Sequence, residues 1–177
     1  MNMSKPLEQY IRTIQDFPKP GIGFKDITTL LKEPEPFREV LERFATHFGR
    51  KKVQKVVGIE SRGFIFGAPL ALKLEAGFVP ARKPKKLPAA TVWEEYQLEY
   101  GTDALEMHVD AIQAGENVLV IDDLLATGGT AAAAVRLVEK LGGNVVGLGF
   151  LIELDFLNGR RHLNRYDLLS LIHVTSE

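Results

Sequence analysis

The chain has 177 residues, with 22 Lys and Arg against 23 Asp and Glu, a formal charge of −1, and no cysteine. That length suits one domain, expected over 1–177, with a core large enough to hold without staples; the missing thiols exclude a disulfide framework, a thiolate zinc site and a cysteine nucleophile. Near-neutral charge argues against a general nucleic-acid binder, no stretch approaches the ~18 apolar residues of a membrane span, and Met1 to Pro6 has no apolar signal segment, so a cytoplasmic protein with neither nucleic-acid nor membrane partners is expected.

In chain order, Leu7, Tyr10, Ile11 and Ile14 fall at helical spacing after Ser4 and Pro6, which predicts a helix over 5–17. The run Phe17-Pro18-Lys19-Pro20-Gly21-Ile22-Gly23 is too rich in Pro and Gly to continue it. A second helix is predicted over 36–48, burying Phe37, Val40, Leu41, Phe44 and Phe48. Then the period changes. A short apolar strand at 56–59 leads into the polar break Glu60-Ser61-Arg62-Gly63, a helix over 64–74 and a strand over 77–81. Residues 82–95 hold Arg82, Lys83, Lys85 and Lys86 before the first acid, Glu94, together with Pro84 and Pro88, and predict a mobile basic loop. A strand is expected over 99–108, and another at 117–121, where the apolar run is unbroken as in a parallel sheet covered on both faces. A helix over 130–141 buries Ala131, Ala134, Val135, Val138 and Leu141 and stops at Gly142-Gly143. Strands over 145–152 and 168–174 complete the pattern. Strands alternating with helices predict an α/β fold with a central, mostly parallel sheet and helices on both faces.

The richest window is Val118-Leu119-Val120-Ile121-Asp122-Asp123-Leu124-Leu125-Ala126-Thr127-Gly128-Gly129-Thr130. A buried strand delivers two acids at its carboxyl end, where open α/β sheets place their ligands. Small residues then open a helix: Gly128 and Gly129 let backbone N–H groups approach an anion, Thr127 and Thr130 add hydroxyls, and the helix N-terminus favours negative charge. This is not the ATP cradle, because Gly129 stands where that pattern requires Lys. Two acids after a strand also suit a Mg²⁺-dependent phosphotransfer site with Asp122 or Asp123 as nucleophile.

Taken with Phe17-Pro18-Lys19-Pro20-Gly21, Glu60-Ser61-Arg62-Gly63-Phe64, Arg82-Lys83-Pro84 and Leu98-Glu99-Tyr100-Gly101, this window resembles the type I phosphoribosyltransferases, over about residues 14–154. The resemblance implies that family's fold, with a small hood within 1–35 and a mobile catalytic loop with its flanking strand over 82–101. It implies transfer of the 5-phosphoribosyl group of phosphoribosyl pyrophosphate (PRPP) to adenine, giving AMP and pyrophosphate with inversion at the ribose C1 carbon. It assigns Ala126, Thr127, Gly128, Gly129 and Thr130 to the 5-phosphate, and Asp122 and Asp123 to the ribose and its developing cation. Ser61, Arg62, Arg82, Lys83 and Lys86 fall to the pyrophosphate, Gly23, Phe24 and Lys25 to adenine, and Glu99 to proton transfer. Mg²⁺ bound with PRPP and a homodimer are implied as well. Ala126, in place of the Asp of 6-oxopurine relatives, favours adenine over hypoxanthine or guanine. Two departures from common family usage stand out: Lys25 where Arg is frequent, and Lys85 where Gly is. A PRPP-sensing regulator is the alternative from another class, but residues 1–50 carry eight Lys or Arg against seven Asp or Glu, too even for a nucleic-acid reading head.

Overall fold

The two apolar runs near 56–59 and 117–121 are strands buried on both faces, and the other elements are arranged around them. The structure, a computed structural model, describes residues 5–97 and 101–176. After a 3₁₀ turn at Leu7–Tyr10 come β1 (Arg12–Ile14) and β2 (Phe24–Asp26), which pair antiparallel as a hood. The short α1 (Thr28–Leu31) and α2 (Pro34–Phe48) lead into β3 (Lys55–Ile59), α3 (Gly63–Lys73) and β4 (Gly77–Ala81). A hairpin of β5 (Thr91–Gln97) and β6 (Thr102–His108) follows, then β7 (Asn117–Leu125), α4 (Gly129–Lys140), β8 (Asn144–Leu154) and β9 (Leu168–Val174).

The central sheet has five strands in the order β4-β3-β7-β8-β9, every neighbouring pair parallel. Side chains alternate across it. Val56, Leu119 and Ile121 face α2 and α3, where they meet Phe44, Phe48, Phe66 and Leu70. Val57, Val118 and Val120 face α4, where they join Ala131, Ala134, Val138 and the hairpin's Leu105 and Met107. Helices therefore cover both faces. The chain leaves β3 toward one edge and β7 toward the other, so a crevice opens at the carboxyl ends of these two neighbours, the position at which such sheets bind ligands.

Two expectations from the sequence fail. The helix over 5–17 is a 3₁₀ turn followed by β1. Its apolar residues keep helical spacing, yet only Leu7 is buried, and pairing of Arg12 with Asp26 and Ile14 with Phe24 decides the local conformation. Asp26 anchors this hood: its carboxylate takes the Arg12 guanidinium and the Thr28 backbone N–H (2.9 Å) and hydroxyl (2.7 Å). With the Arg12 hydrogen bond as the largest cause, its pKa falls to about 2. The loop over 82–95 is also shorter than expected, since Thr91 to Glu95 lie in β5 and pair with His108 to Ala104. The β-branched and aromatic run Thr91-Val92-Trp93 suits a strand, and the basic residues ahead of it masked that signal.

On the α2 face, Gly147 and Gly149 of β8 leave room for the Phe48 and Phe44 rings: a Cβ on Gly149 would lie 3.1 Å from Phe44 Cε1. Phe44 has no exposed surface. Phe44→Ala should cost about 3–5 kcal/mol in urea unfolding, because the rigid sheet cannot close the cavity.

Candidate active site

Strand β7 runs four residues beyond the apolar stretch, so Asp122 and Asp123 lie on the strand itself, and both line the same crevice. Asp123 is 5% exposed. Asp122 lies against the start of α3, where Gly63 permits close approach: a Cβ there would sit 2.7 Å from the Ile121 carbonyl oxygen and 3.1 Å from Asp122 Oδ1. The Asp123 backbone N–H donates to Asp122 Oδ1 at 2.8 Å. Beyond β7, Gly128 takes a φ of +85°, which favours glycine, and α4 begins at Gly129 with its first amides facing the crevice.

The β3–α3 turn faces this loop, and its Glu60–Ser61 peptide bond is cis. Arg62 Nε reaches Asp123 Oδ2 at 2.7 Å, while its guanidinium lies 5.3 Å from the centre of the Phe24 ring. Phe24 also meets Phe17 edge-on at 5.2 Å. A single side chain thus ties the hood to the paired acids. Arg82 forks onto Glu60, with Nη2 to Oε1 at 2.9 Å and Nε to Oε2 at 3.2 Å, and donates from Nη1 to the Lys86 carbonyl at 2.9 Å. Lys83 holds Asp103 of the hairpin, and the Tyr96 hydroxyl donates to the same carboxylate at 3.3 Å. Lys85 has a φ of +66°, in the left-handed region that favours Gly.

These groups enclose a cavity of about 590 Å³, lined by Ser61, Arg62, Lys83, Asp122, Asp123 and, from the loop, Ala126, Thr127, Gly128 and Thr130, among others. Each cation here has an acid: Arg62 with Asp123, Lys83 with Asp103, and Arg82 with Glu60. Among the described residues lining the cavity, Asp122 is the one acid without a salt bridge of its own. Burial, then the charge of Asp123, pushes the Asp122 carboxyl well above its ordinary value of 3.8. Burial raises Asp123 too, with Arg62 opposing it. The Arg82 fork holds Glu60 below its ordinary value.

A second cavity of about 1120 Å³ shares Tyr96 and Thr127 with the first. Gly23 and Lys25 line it opposite Leu154, Phe156 and Leu157. Phe24 turns instead to Phe17 and Arg62. The structure thus gathers Ser61, Arg62, Lys83, Asp122, Asp123, Ala126, Thr127, Gly128 and Thr130 round one cavity, and sets Gly23, Lys25 and Gly129 on the next. It turns Arg82 onto Glu60, where the guanidinium also draws in the Lys86 carbonyl. Glu99 lies outside the described residues. Sequence reasoning missed Glu60, Tyr96 and Asp103, and it missed the aromatic and aliphatic wall at Phe156 and Leu157. Only Tyr96 carried a signal, as one residue of a β-favouring run.

The donor set fits Mg²⁺ that arrives with a polyanion. Mg²⁺ takes one or two carboxylates and fills its shell from phosphate and water, and Asp122 and Asp123 supply that partial set. A different cluster, Glu153, Asp155 and His173, brings its ligand atoms within 4.8 Å of one another. Both Glu153 oxygens already bind the Arg160 guanidinium, at 3.0 and 2.6 Å, so a cation placed there would meet a positive charge.

A parallel sheet with this strand order, a phosphate-type loop and paired acids at the divergence of its strands define a class, and a profile of the phosphoribosyl transferase domain matches residues 27–169. The chain belongs to the phosphoribosyl transferase family. It is 58% identical over 167 residues to the adenine phosphoribosyltransferase of Koribacter versatilis, covering 94% of this chain and 92% of that protein. The crystal structure of adenine phosphoribosyltransferase from Thermoanaerobacter pseudethanolicus matches with a TM-score of 0.92 at 53% identity, covering 95% of this chain and 98% of that one. The enzyme from Saccharomyces cerevisiae, complexed with D-2,5-dideoxy-2,5-imino-altritol 1,6-bisphosphate and adenine, matches with a TM-score of 0.89 at 43% identity, covering 93% and 96%. These relatives place the chain on the adenine phosphoribosyltransferase branch.

The raised Asp122 pKa has a stability consequence with a definite sign. A carboxyl that binds its proton more tightly when folded costs no stability below the ordinary value of 3.8, and costs progressively more as pH rises toward the folded value. Asp122→Asn keeps Oδ1 as acceptor for the Asp123 N–H and removes that cost. The variant should therefore unfold at higher urea than the parent near pH 7, and the difference should vanish near pH 3.

Proposed function

We propose that this chain transfers the 5-phosphoribosyl group of PRPP to adenine, forming AMP and pyrophosphate in purine salvage. The observation that carries the reading is the anion-binding loop at the start of α4, which stands beside two carboxylates and opens, past Tyr96 and Thr127, into a second cavity walled by apolar side chains. Amides and hydroxyls of Ala126, Thr127, Gly128, Gly129 and Thr130 hold the 5-phosphate. Asp122 and Asp123 hold the ribose hydroxyls and keep negative charge near C1 as it becomes cationic. Ser61 and Arg62 face the diphosphate; Lys83 joins them by exchanging Asp103 for phosphate oxygen, and Arg82 and Lys86 close from behind Glu60.

Adenine lies in the larger cavity between the hood, at Gly23 and Lys25, and the wall of Leu154, Phe156 and Leu157. Phe24 serves the site by seating Arg62 rather than by stacking on the base. The N9 lone pair attacks C1 as the C1–O bond breaks, pyrophosphate leaves with the bonding electrons, and the configuration inverts. Glu99, on the segment joining β5 to β6, takes the N9 proton. Mg²⁺ bound with PRPP supplies charge neutralisation to the diphosphate. A cytoplasmic homodimer completes the proposal on the strength of the family resemblance.

A panel of purines assayed with PRPP and Mg²⁺ tests this reading. AMP should form from adenine, with hypoxanthine and guanine far slower; if adenine yields no AMP, the assignment is wrong. Glu99→Gln should lower turnover by about 10²-fold or more, the usual scale of a general base. Unchanged turnover in that variant would remove Glu99 from the proton path while leaving the reaction in place.

A further inference from the structure

The back of the phosphate loop is pressed against a turn that carries no substrate role in the scheme above. A Cβ on Gly159 would lie 2.1 Å from the Ala126 carbonyl oxygen and 2.8 Å from the Gly128 nitrogen, and one on Gly128 would lie 2.5 Å from the Gly159 carbonyl oxygen. The two backbones touch with no side chain between them, so any shift of residue 159 is passed to 126–128. The next residue is Arg160. Its guanidinium forks onto Glu153, which is 3% exposed, and Nη1 reaches the Leu168 carbonyl at 3.4 Å. The Ser170 hydroxyl donates to Glu153 Oε2 at 2.6 Å. Glu153 pairs in register with Leu125 of β7, the last strand residue before the loop. On its other side the turn is pinned by Leu163, 1% exposed, in the core cluster that holds Ala131 and Ala134 of α4.

We propose that Arg160, seated by Glu153 and Ser170, is a positioning residue for the 5-phosphate: through Gly159 it fixes the backbone of 126–128 at the spacing the phosphate needs. The idea rests on the PRPP-binding role given to the loop above. Burial would raise the Glu153 pKa, yet the hydrogen bonds from Arg160 and Ser170 lower it, so the anchor stays ionised at neutral pH. The fork matters more than the charge, because Lys offers a single point of attachment where Arg offers two fixed ones.

The test uses Arg160→Gln, Arg160→Lys and Ser170→Ala in the full chain, with three readouts. KM for PRPP and the inhibition constant of ribose 5-phosphate, which carries the 5-phosphate without the diphosphate, should rise together by about 10-fold in Arg160→Gln, on the scale of a small misplacement in a built site. KM for adenine and inhibition by pyrophosphate should stay within about 2-fold, with Arg160→Lys intermediate and Ser170→Ala smaller in the same direction. Backbone amides at 127–129 should exchange hydrogen faster in each variant, while those of β3 keep the parent rate. A parallel rise for all ligands, or unchanged ribose 5-phosphate inhibition in a folded variant, would overturn the proposal. If Arg160→Gln fails to fold, Arg160→Lys and Ser170→Ala carry the same comparison. If the parent forms no AMP, the proposed reaction fails, whereas the exchange rates still decide whether Arg160 sets the loop.

Discussion

Everything at the crevice is arranged around one uncompensated carboxylate. Glu60, Asp103 and Asp123 each have a cation in hand, and Asp122 shares its surroundings with Asp123 and one guanidinium. Burial strips hydration from both carboxylates and raises both pKa values, and the charge of Asp123 raises Asp122 further. A fold selected for stability alone has no use for this pair. A site that must face a positive carbon at the moment of bond exchange does, because fixed negative charge in a dry setting acts more strongly there than in water. In the proposed reaction, the destabilised charge on Asp122 would be held ready for that cation.

The same pairing explains how separate parts of the chain come to act at one place. The hood is joined to β7 through Arg62, which sits between Phe24 and Asp123. The hairpin is joined to the crevice through Asp103, which holds Lys83 and Tyr96. The segment before the hairpin is joined to the β3–α3 turn through Arg82 and Glu60. Each of these links is a charged or aromatic contact at the rim of the crevice, added to the apolar packing by which the hairpin's Leu105 and Met107 join the core. Such contacts contribute little stability where they are exposed, and they can exchange partners without unfolding either element. In the proposed reaction a polyanion entering the cavity would compete for the same guanidinium and ammonium groups that make these links.

What could be read from the sequence follows from how far each signal reaches along the chain. The β7–α4 corner was legible because its strand, acids, glycines and hydroxyls are contiguous and each has a local reason to be there. Strands β4 and β9 were legible to the residue from their apolar runs. The hood was not, since Leu7, Tyr10 and Ile11 read as a helix until Arg12 to Ile14 find Phe24 to Asp26 across the Pro- and Gly-rich bend. Glu60 and Asp103 were invisible for a similar reason: their partners lie 22 and 20 residues away, and nothing beside either acid in the chain announces the pair. Phe24 was read from its place in the chain as a base contact, and its ring also meets Phe17 and the Arg62 guanidinium, the latter a partner 38 residues away.

The formal charge of −1 takes on a different meaning at this scale. Spread over the chain it says only that no long polyanion is bound. At the crevice Arg62, Lys83 and Arg82 are each paired with an acid, so these three can bind a diphosphate only by giving up a carboxylate. Either the paired cations turn from carboxylate to phosphate, which leaves Asp103 and Asp123 bare, or positive charge arrives with the ligand. A divalent cation carried by the diphosphate meets that need, and Asp122, the acid with no salt bridge to give up, is the protein group best placed to favour it. These paired charges favour a substrate that brings its own counter-ion, and weigh against a bare polyanion of the same shape.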